Sequence, residues 1–166
     1  MASTKLVESG EKPLSRERLV ELLNEDLARE YKAIIAYVVY SQVLKGAEYM
    51  NIAAQLEIHA AQELEHAITI SKQIDYLGGM PTTVPQTVPT SEKAKEMLRM
   101  DLENEKETIR NYRDRVHQCE ELDEFALAEQ IRDILIQEQA HLIDLATALG
   151  EDVPVIGRTK SQKSGK

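Results

Sequence analysis

Apolar residues recur every three and four positions along four long stretches of this chain, and only an α-helix gives such residues a shared face. The first stretch opens at Pro13 and Ser15 and runs to about Lys45, ahead of Gly46. The second runs from about Ala47 to Leu77 and stops at Gly78-Gly79-Met80-Pro81. A third begins after Thr90 or Ser91 and reaches about Cys119, and Glu120 to Asp123 turn the chain into a fourth that ends near Gly150. Each is roughly 27 to 31 residues, or about 40 to 45 Å of helix. The short connections at Gly46 and at Glu120 to Asp123 force antiparallel hairpins. Residues 78–90, GGMPTTVPQTVPT, are different. Their prolines and β-branched residues favour extended backbone, and at about 3.3 Å per residue they span about 43 Å, one bundle length. The fold read from this pattern is all-α, a four-helix bundle over 13–150 with a long crossover between the second and third helices. A disordered segment is expected at 1–12, and an extended or disordered basic tail at 151–166.

Composition narrows the function classes. Aromatic residues are only 4% of the chain and Gly and Pro are few, as suits long helices. No run of eighteen apolar residues exists to span a bilayer, and the first residues, MASTKLVESGEK, lack the apolar region of a signal peptide, so a cytoplasmic protein with no membrane partner is expected. The single cysteine, Cys119, allows neither a disulfide framework nor a multi-cysteine metal site and reads as a small buried apolar residue. A net charge of −9 excludes a broad surface for gripping phosphates. The tail from Arg158, RTKSQKSGK, is basic and offers DNA a contact, but reads as a solvated end.

The chemistry lies where polar residues interrupt the apolar seams. In the first helix the seam is Leu23, Leu27, Glu30, Ile34, Tyr37, Ser41, Leu44; in the second it is Ile52, Leu56, His59, Glu63, His66, Ile70, Leu77. The third carries Leu98, Leu102, Glu105, Ile109, Tyr112, Val116, Cys119, and the fourth Leu127, Ile131, Ile134, Glu138, His141, Leu145. Residues equidistant from a hairpin turn face each other. Glu30 and Glu63 are centred on the Gly46 turn, and Glu105 and Glu138 on the second turn, so both pairs meet at mid-bundle. Each pair is separated by 33 residues, each second glutamate begins Glu-x-x-His on one helical face, and Tyr37 and Tyr112 follow the first glutamates by seven. The site is therefore a pseudo-repeat.

Four carboxylates in one apolar layer cost several kcal/mol each unless protonated, paired or bound to cations. No Lys or Arg stands at these seam positions, and two divalent cations would balance the charge. Oxygen-rich ligation with one imidazole per ion suits octahedral iron or manganese rather than tetrahedral structural zinc. The expected metal ligands are therefore Glu30, Glu63, His66, Glu105, Glu138 and His141, holding two ions, iron favoured over manganese. His59, four before Glu63, reads as a core or interface histidine, with an extra ligand or iron-path residue as the alternative; His117 reads as a surface histidine, and Glu103 and Glu107 as solvated.

At these residues the chain resembles the bacterioferritins of the ferritin-like di-iron carboxylate superfamily. LNEDLAREYKAIIAY at 23–37 is similar to the family's first-helix segment, and ELEH at 63–66, MLRMDLENE at 97–105 and EQAH at 138–141 match its remaining ligand segments in order and spacing. The resemblance covers roughly 15–149 and implies a ferritin-like connection of the helices and a ferroxidase that oxidises Fe(II) with O2 or H2O2 for iron storage or detoxification. It implies that Glu63 and Glu138 bridge or chelate, that Glu30 and Glu105 are terminal or bridging, and that His66 and His141 each bind one iron. Tyr37 and Tyr112 would orient ligands by hydrogen bonding or supply an electron. Leu64 stands where the family's haem-ligating methionine would be, so no haem is expected, and the segment after Gly150 lacks the period of a fifth helix. A homo-oligomer is implied, as a dimer, a twelve-subunit or a 24-subunit shell. Two other readings share the bundle. A rubrerythrin-like peroxidase would need further cysteines that this chain lacks, and a Dps-like DNA-protecting shell would use the basic tail.

Overall fold

The Ser15 side chain accepts a hydrogen bond from the Arg18 amide at 3.1 Å and caps the first helix, α1, Arg16–Val43. It is followed in this computed structural model, which describes residues 12–157, by α2 (Met50–Tyr76), α3 (Ala94–Glu121) and α4 (Phe125–Ala148). The chain is all-α: a four-helix bundle in which α1 pairs with α2, α3 with α4, α1 with α3 and α2 with α4. Contacts such as Tyr40 with Met100 and Asp26 with Arg115 run in opposite order along the two chains, so α1 and α3 are antiparallel. No helix among the described residues is long and apolar enough to cross a membrane.

The turns differ from their predicted forms in detail. Ala47–Tyr49 is a single 3-10 turn ahead of α2, because Gly46 takes a φ of 125° that glycine tolerates and its carbonyl accepts from the Tyr49 amide at 3.1 Å. The third helix starts at Ala94, later than predicted, since the Ser91 hydroxyl first accepts from the Lys93 amide at 3.0 Å and donates to Glu96 at 2.6 Å. A side chain at Gly79 would collide with Val20, its Cβ falling 2.3 Å from a Val20 methyl, so the exit from α2 needs glycine to pass close to α1.

Between α2 and α3 the chain runs along α1 as a crossover. The Thr82 amide donates to Asn24 Oδ1 at 2.7 Å, the Gln86 amide to the Ala28 carbonyl at 3.0 Å, and the Tyr40 hydroxyl to the Pro89 carbonyl, contacts that climb α1 from one end to the other. Residues 151–157 hold no regular structure; Ile156 packs on the bundle core and its carbonyl accepts from Arg113 at 3.0 Å. The expectations for the N-terminal segment through residue 11 and for the basic tail 158–166 fall outside the described residues.

The core is in two parts. One, at the Gly46 end, gathers Tyr40, Leu44, Ile52, Leu56 and Leu145; the other, at the Asp123 end, gathers Leu19, Leu23, Ile74, Cys119 and Leu127. Burying each large side chain stabilises the fold by about 1.5 to 3 kcal/mol. Between the two parts lies a polar layer, and that is where the seam interruptions meet.

Candidate metal centre

All six expected ligands are buried in that layer, none more than 3% exposed. They form two overlapping groups, Glu30, Glu63, His66 and Glu138, and Glu63, Glu105, Glu138 and His141, whose ligand atoms lie within 4.8 Å of one another. Glu63 and Glu138 belong to both groups, whereas Glu30 and Glu105 each belong to one. Helix period explains the arrangement. Glu63 and His66, and Glu138 and His141, are one turn apart on single faces, and the two antiparallel hairpins bring those faces together.

The His66 Nδ1 stands 3.1 Å from Glu138 Oε1, 3.2 Å from Glu63 Oε2 and 3.6 Å from Glu30 Oε2. The His141 Nδ1 is 2.9 Å from Glu63 Oε1, 3.5 Å from Glu138 Oε2 and 3.9 Å from Glu105 Oε1. Two ligand atoms at right angles, each about 2.1 Å from an ion, would be about 3 Å apart. Several of these atoms make no hydrogen bond at all: Glu30 Oε2, Glu63 Oε1, Glu105 Oε2, both oxygens of Glu138, and His141 Nδ1. Orphaned buried oxygens are costly in a protein interior, and a cluster of them facing imidazole nitrogens at such spacing fits divalent cations.

Electrostatics points the same way. Burial, reinforced by neighbouring carboxylates, pushes Glu63 and Glu105 well above the usual carboxylate range. For Glu138, burial is opposed and overcome by the His141 and His66 imidazoles close beside it, which hold it below that range. Burial also disfavours charge on His66 and His141, but the carboxylates facing them raise both. The layer thus draws positive charge from whatever source it has, here the imidazoles.

The outer face of each histidine is fixed from the opposite hairpin. His66 Nε2 is 2.7 Å from Gln137 Oε1, and His141 Nε2 is 2.8 Å from Gln62 Oε1, so each ring presents Nδ1 to the carboxylates and donates its Nε2 proton to a glutamine. These glutamines were missed in the sequence, although a signal existed: Gln precedes both Glu-x-x-His motifs. The tyrosines also cross the bundle. Tyr37 donates to Glu105 Oε1 and Tyr112 to Glu30 Oε1, and burial followed by the nearby carboxylates raises both phenols far enough to keep them protonated donors.

His59 is 1% exposed and lies in the same region. Its ring stacks on His141 with centroids 4.0 Å apart, and Nε2 is 3.0 Å from Asp144 Oδ2. Burial and the neighbouring His141 lower its pKa to about 4. His117 is exposed, as expected. The apolar seams gave no sign of Asp26, Arg29, Asp101, Asn104, Thr108 and Arg115, all buried. Arg29 and Arg115 are cations within the bundle, yet both pair with Asp26 rather than with the four glutamates.

Comparisons with known proteins place the chain in a family. A protein-family model of the ferritin-like domain matches residues 20–152. The chain is 30% identical to a bacterioferritin of Desulfovibrio desulfuricans over 81% of its length and 75% of the relative's. It is 26% identical to a bacterioferritin of Streptomyces coelicolor over 89% of this chain and 94% of that one. Among solved structures, a ferritin-like, diiron-carboxylate protein from Bacillus anthracis superposes with a TM-score of 0.78 at 34% identity, covering 81% of this chain and 96% of that one. With a family match over most of its length and a bacterioferritin relative at this identity, the chain belongs to the ferritin-like family and is bacterioferritin-like within it.

Proposed function

We propose that the chain is a ferroxidase that binds two Fe(II) ions as substrate in the buried layer and oxidises them with O2 or H2O2. The observation that carries this is the pair of overlapping ligand groups sharing Glu63 and Glu138, with their unpartnered carboxylate oxygens. Glu63 and Glu138 face both ions, Glu30 and His66 serve one, and Glu105 and His141 serve the other. Four carboxylates neutralise two dications, and their negative charge favours the ferric product over the ferrous substrate. Two Fe(II) give up the two electrons that convert O2 and two protons to H2O2, or H2O2 and two protons to two waters. Gln62 and Gln137 hold the imidazoles, and the hydroxyls of Tyr37 and Tyr112 hold Glu105 and Glu30 in place. Manganese would fit the same oxygen-rich set and compete as a ligand.

Leu64 lies 52% exposed on α2, and a leucine offers haem no axial ligand. Exposed Ile35, Val38 and Val39 on α1 and Ile58, Leu64 and Ile68 on α2 give this hairpin an apolar outer surface, which supports a homo-oligomer and with it iron storage. The compartment consistent with one unpaired thiol is the cytoplasm. The test is anaerobic Fe(II) loading followed by O2. Uptake of two Fe(II) per chain and a ferric absorbance band are expected, and survival of that band in Glu63→Ala would overturn the assignment.

A further inference from the structure

The ligand layer repeats: Glu30, Tyr37, Gln62, Glu63 and His66 each have a counterpart 75 residues later in Glu105, Tyr112, Gln137, Glu138 and His141. His59 and Asp144 break the repeat. The positions that correspond to them in the other hairpin are Ile134 and Thr69. One end of the layer therefore has a histidine–aspartate pair, and the other has an isoleucine and a threonine.

The pair has an unusual setting. His59 is fully enclosed, stacked on His141 at 4.0 Å and edge-on to Tyr37 at 5.3 Å, and its Nδ1 has no hydrogen-bond partner. Asp144 faces two ways. Its side chain is 38% exposed, it meets His59 Nε2 at 3.0 Å, and it lines a cleft of about 280 Å³ between the start of α2 and the end of α4. Glu48, Asn51 and Gln55 line the same cleft. Polar groups therefore run without an apolar break from solvent through Asp144 and His59 to His141. At the other end the groove that reaches His66 has Ile134 and Thr69 where the first end has His59 and Asp144, with Glu65, Asp133 and Lys72 at its rim, so charged groups are present there but no imidazole–carboxylate pair leads inward to His66.

We propose that His59 and Asp144 form a third, transient divalent-cation site that passes Fe(II) from this cleft to the Glu63, Glu105, Glu138 and His141 position. An imidazole nitrogen and a carboxylate oxygen 3.0 Å apart match neighbouring ligands of one ion, with water and cleft oxygens completing its shell. Two protein ligands hold an ion weakly enough to release it, and the acidic cleft concentrates cations at the entrance. A hydrogen bond serving structure alone would need neither an open cleft behind Asp144 nor an imidazole stacked on a ligand histidine. This inference rests on the two-ion reading of the buried layer.

Anaerobic titration of the full chain with Co(II), followed by its visible absorbance and by calorimetry, separates the two. Three Co(II) per chain are expected, one weaker than the others. In H59I/D144T, which carries the residues of the opposite hairpin, two should remain with unchanged affinity, and stopped-flow loading should slow by about tenfold. Asp144→Asn retains a partner for His59 without the charge and should show the same losses if the double variant does not fold. A wild type that takes only two ions, a third ion retained by the variants, or loading at an unchanged rate would each overturn the transfer site while leaving the buried centre intact. Failure of the wild type to bind any ion in the layer would overturn both.

Discussion

The α1–α2 and α3–α4 hairpins are near-duplicates at the ligand layer and unlike one turn away from it. Each supplies two glutamates, a histidine, a glutamine and a tyrosine at matched positions, and each tyrosine and glutamine supports a ligand of the other hairpin. On the proposed two-ion reading the layer needs both contributions, which accounts for the duplication there. Asp26 and Asp101 correspond across the same repeat, yet their fates differ. Asp26 is gripped by Arg29 and by Arg115, whose Nε and Nη2 lie 2.6 and 3.2 Å from its oxygens. Asp101 has Asn104 and Tyr40 at the corresponding positions. Tyr40 donates to Pro89 of the crossover instead, and both Asp101 Oδ2 and Asn104 Oδ1 are left without a partner. Burial accordingly drives Asp101 well above the normal carboxylate range. The lesson is that the repeat fixes the ligands, while the crossover and the residues beyond the layer set two different electrostatic ends.

The largest expected break of the symmetry between ligands is at the shared pair. Glu63→Ala and Glu138→Ala should each abolish binding of both ions and lower the ferroxidase rate by about 100-fold or more, measured by metal analysis and O2 uptake, whereas Glu30→Ala and Glu105→Ala should each lose one ion. Equal losses from all four would contradict the sharing.

The aspartates should separate in stability. Asp26→Ala leaves two buried guanidinium groups without their carboxylate and should cost about 3 to 5 kcal/mol by urea unfolding. Asp101→Asn should instead stabilise the fold by about 1 to 2 kcal/mol at neutral pH. The sign follows from its raised pKa: folding favours the protonated acid, so its contribution is full below about pH 3.9 and is lost as pH rises through the folded value. The advantage of the asparagine should accordingly disappear in acid, and an advantage independent of pH would exclude this cause.

Smaller effects should restore the equivalence of the halves. Gln62→Ala and Gln137→Ala should each weaken Co(II) binding by about tenfold at a single position, seen as loss of one affinity class in the titration. Tyr37→Phe and Tyr112→Phe, which remove one hydrogen bond each from a terminal glutamate, should cost about 1 kcal/mol of binding, or some fivefold in affinity. A much larger loss of oxidation rate than of affinity in either would assign that tyrosine an electron-donating role.

By itself the sequence determined the four helices, the crossover and the six residues of the layer. Helical period sets which residues share a face, and the distance to a tight turn sets their height, so Glu30, Glu63, His66, Glu105, Glu138 and His141 could be placed without knowing how the helices pack. The end of α4 near Gly150 was legible for a similarly local reason. Only the tertiary structure decided which carboxylates fall in both groups and which hairpin's tyrosine and glutamine reach which glutamate and histidine, because helix rotation and side-chain rotamers set those contacts across the bundle. It also decided what becomes of polar residues that an apolar seam does not reveal. Asp26 and Asp101 look alike in sequence, and one is paired while the other is not because Arg115 reaches across from α3 and Tyr40 is drawn to the crossover. The partner of His59 is likewise set by the fold, because Asp144 lies 85 residues further along the chain and only helix packing brings it beside the ring.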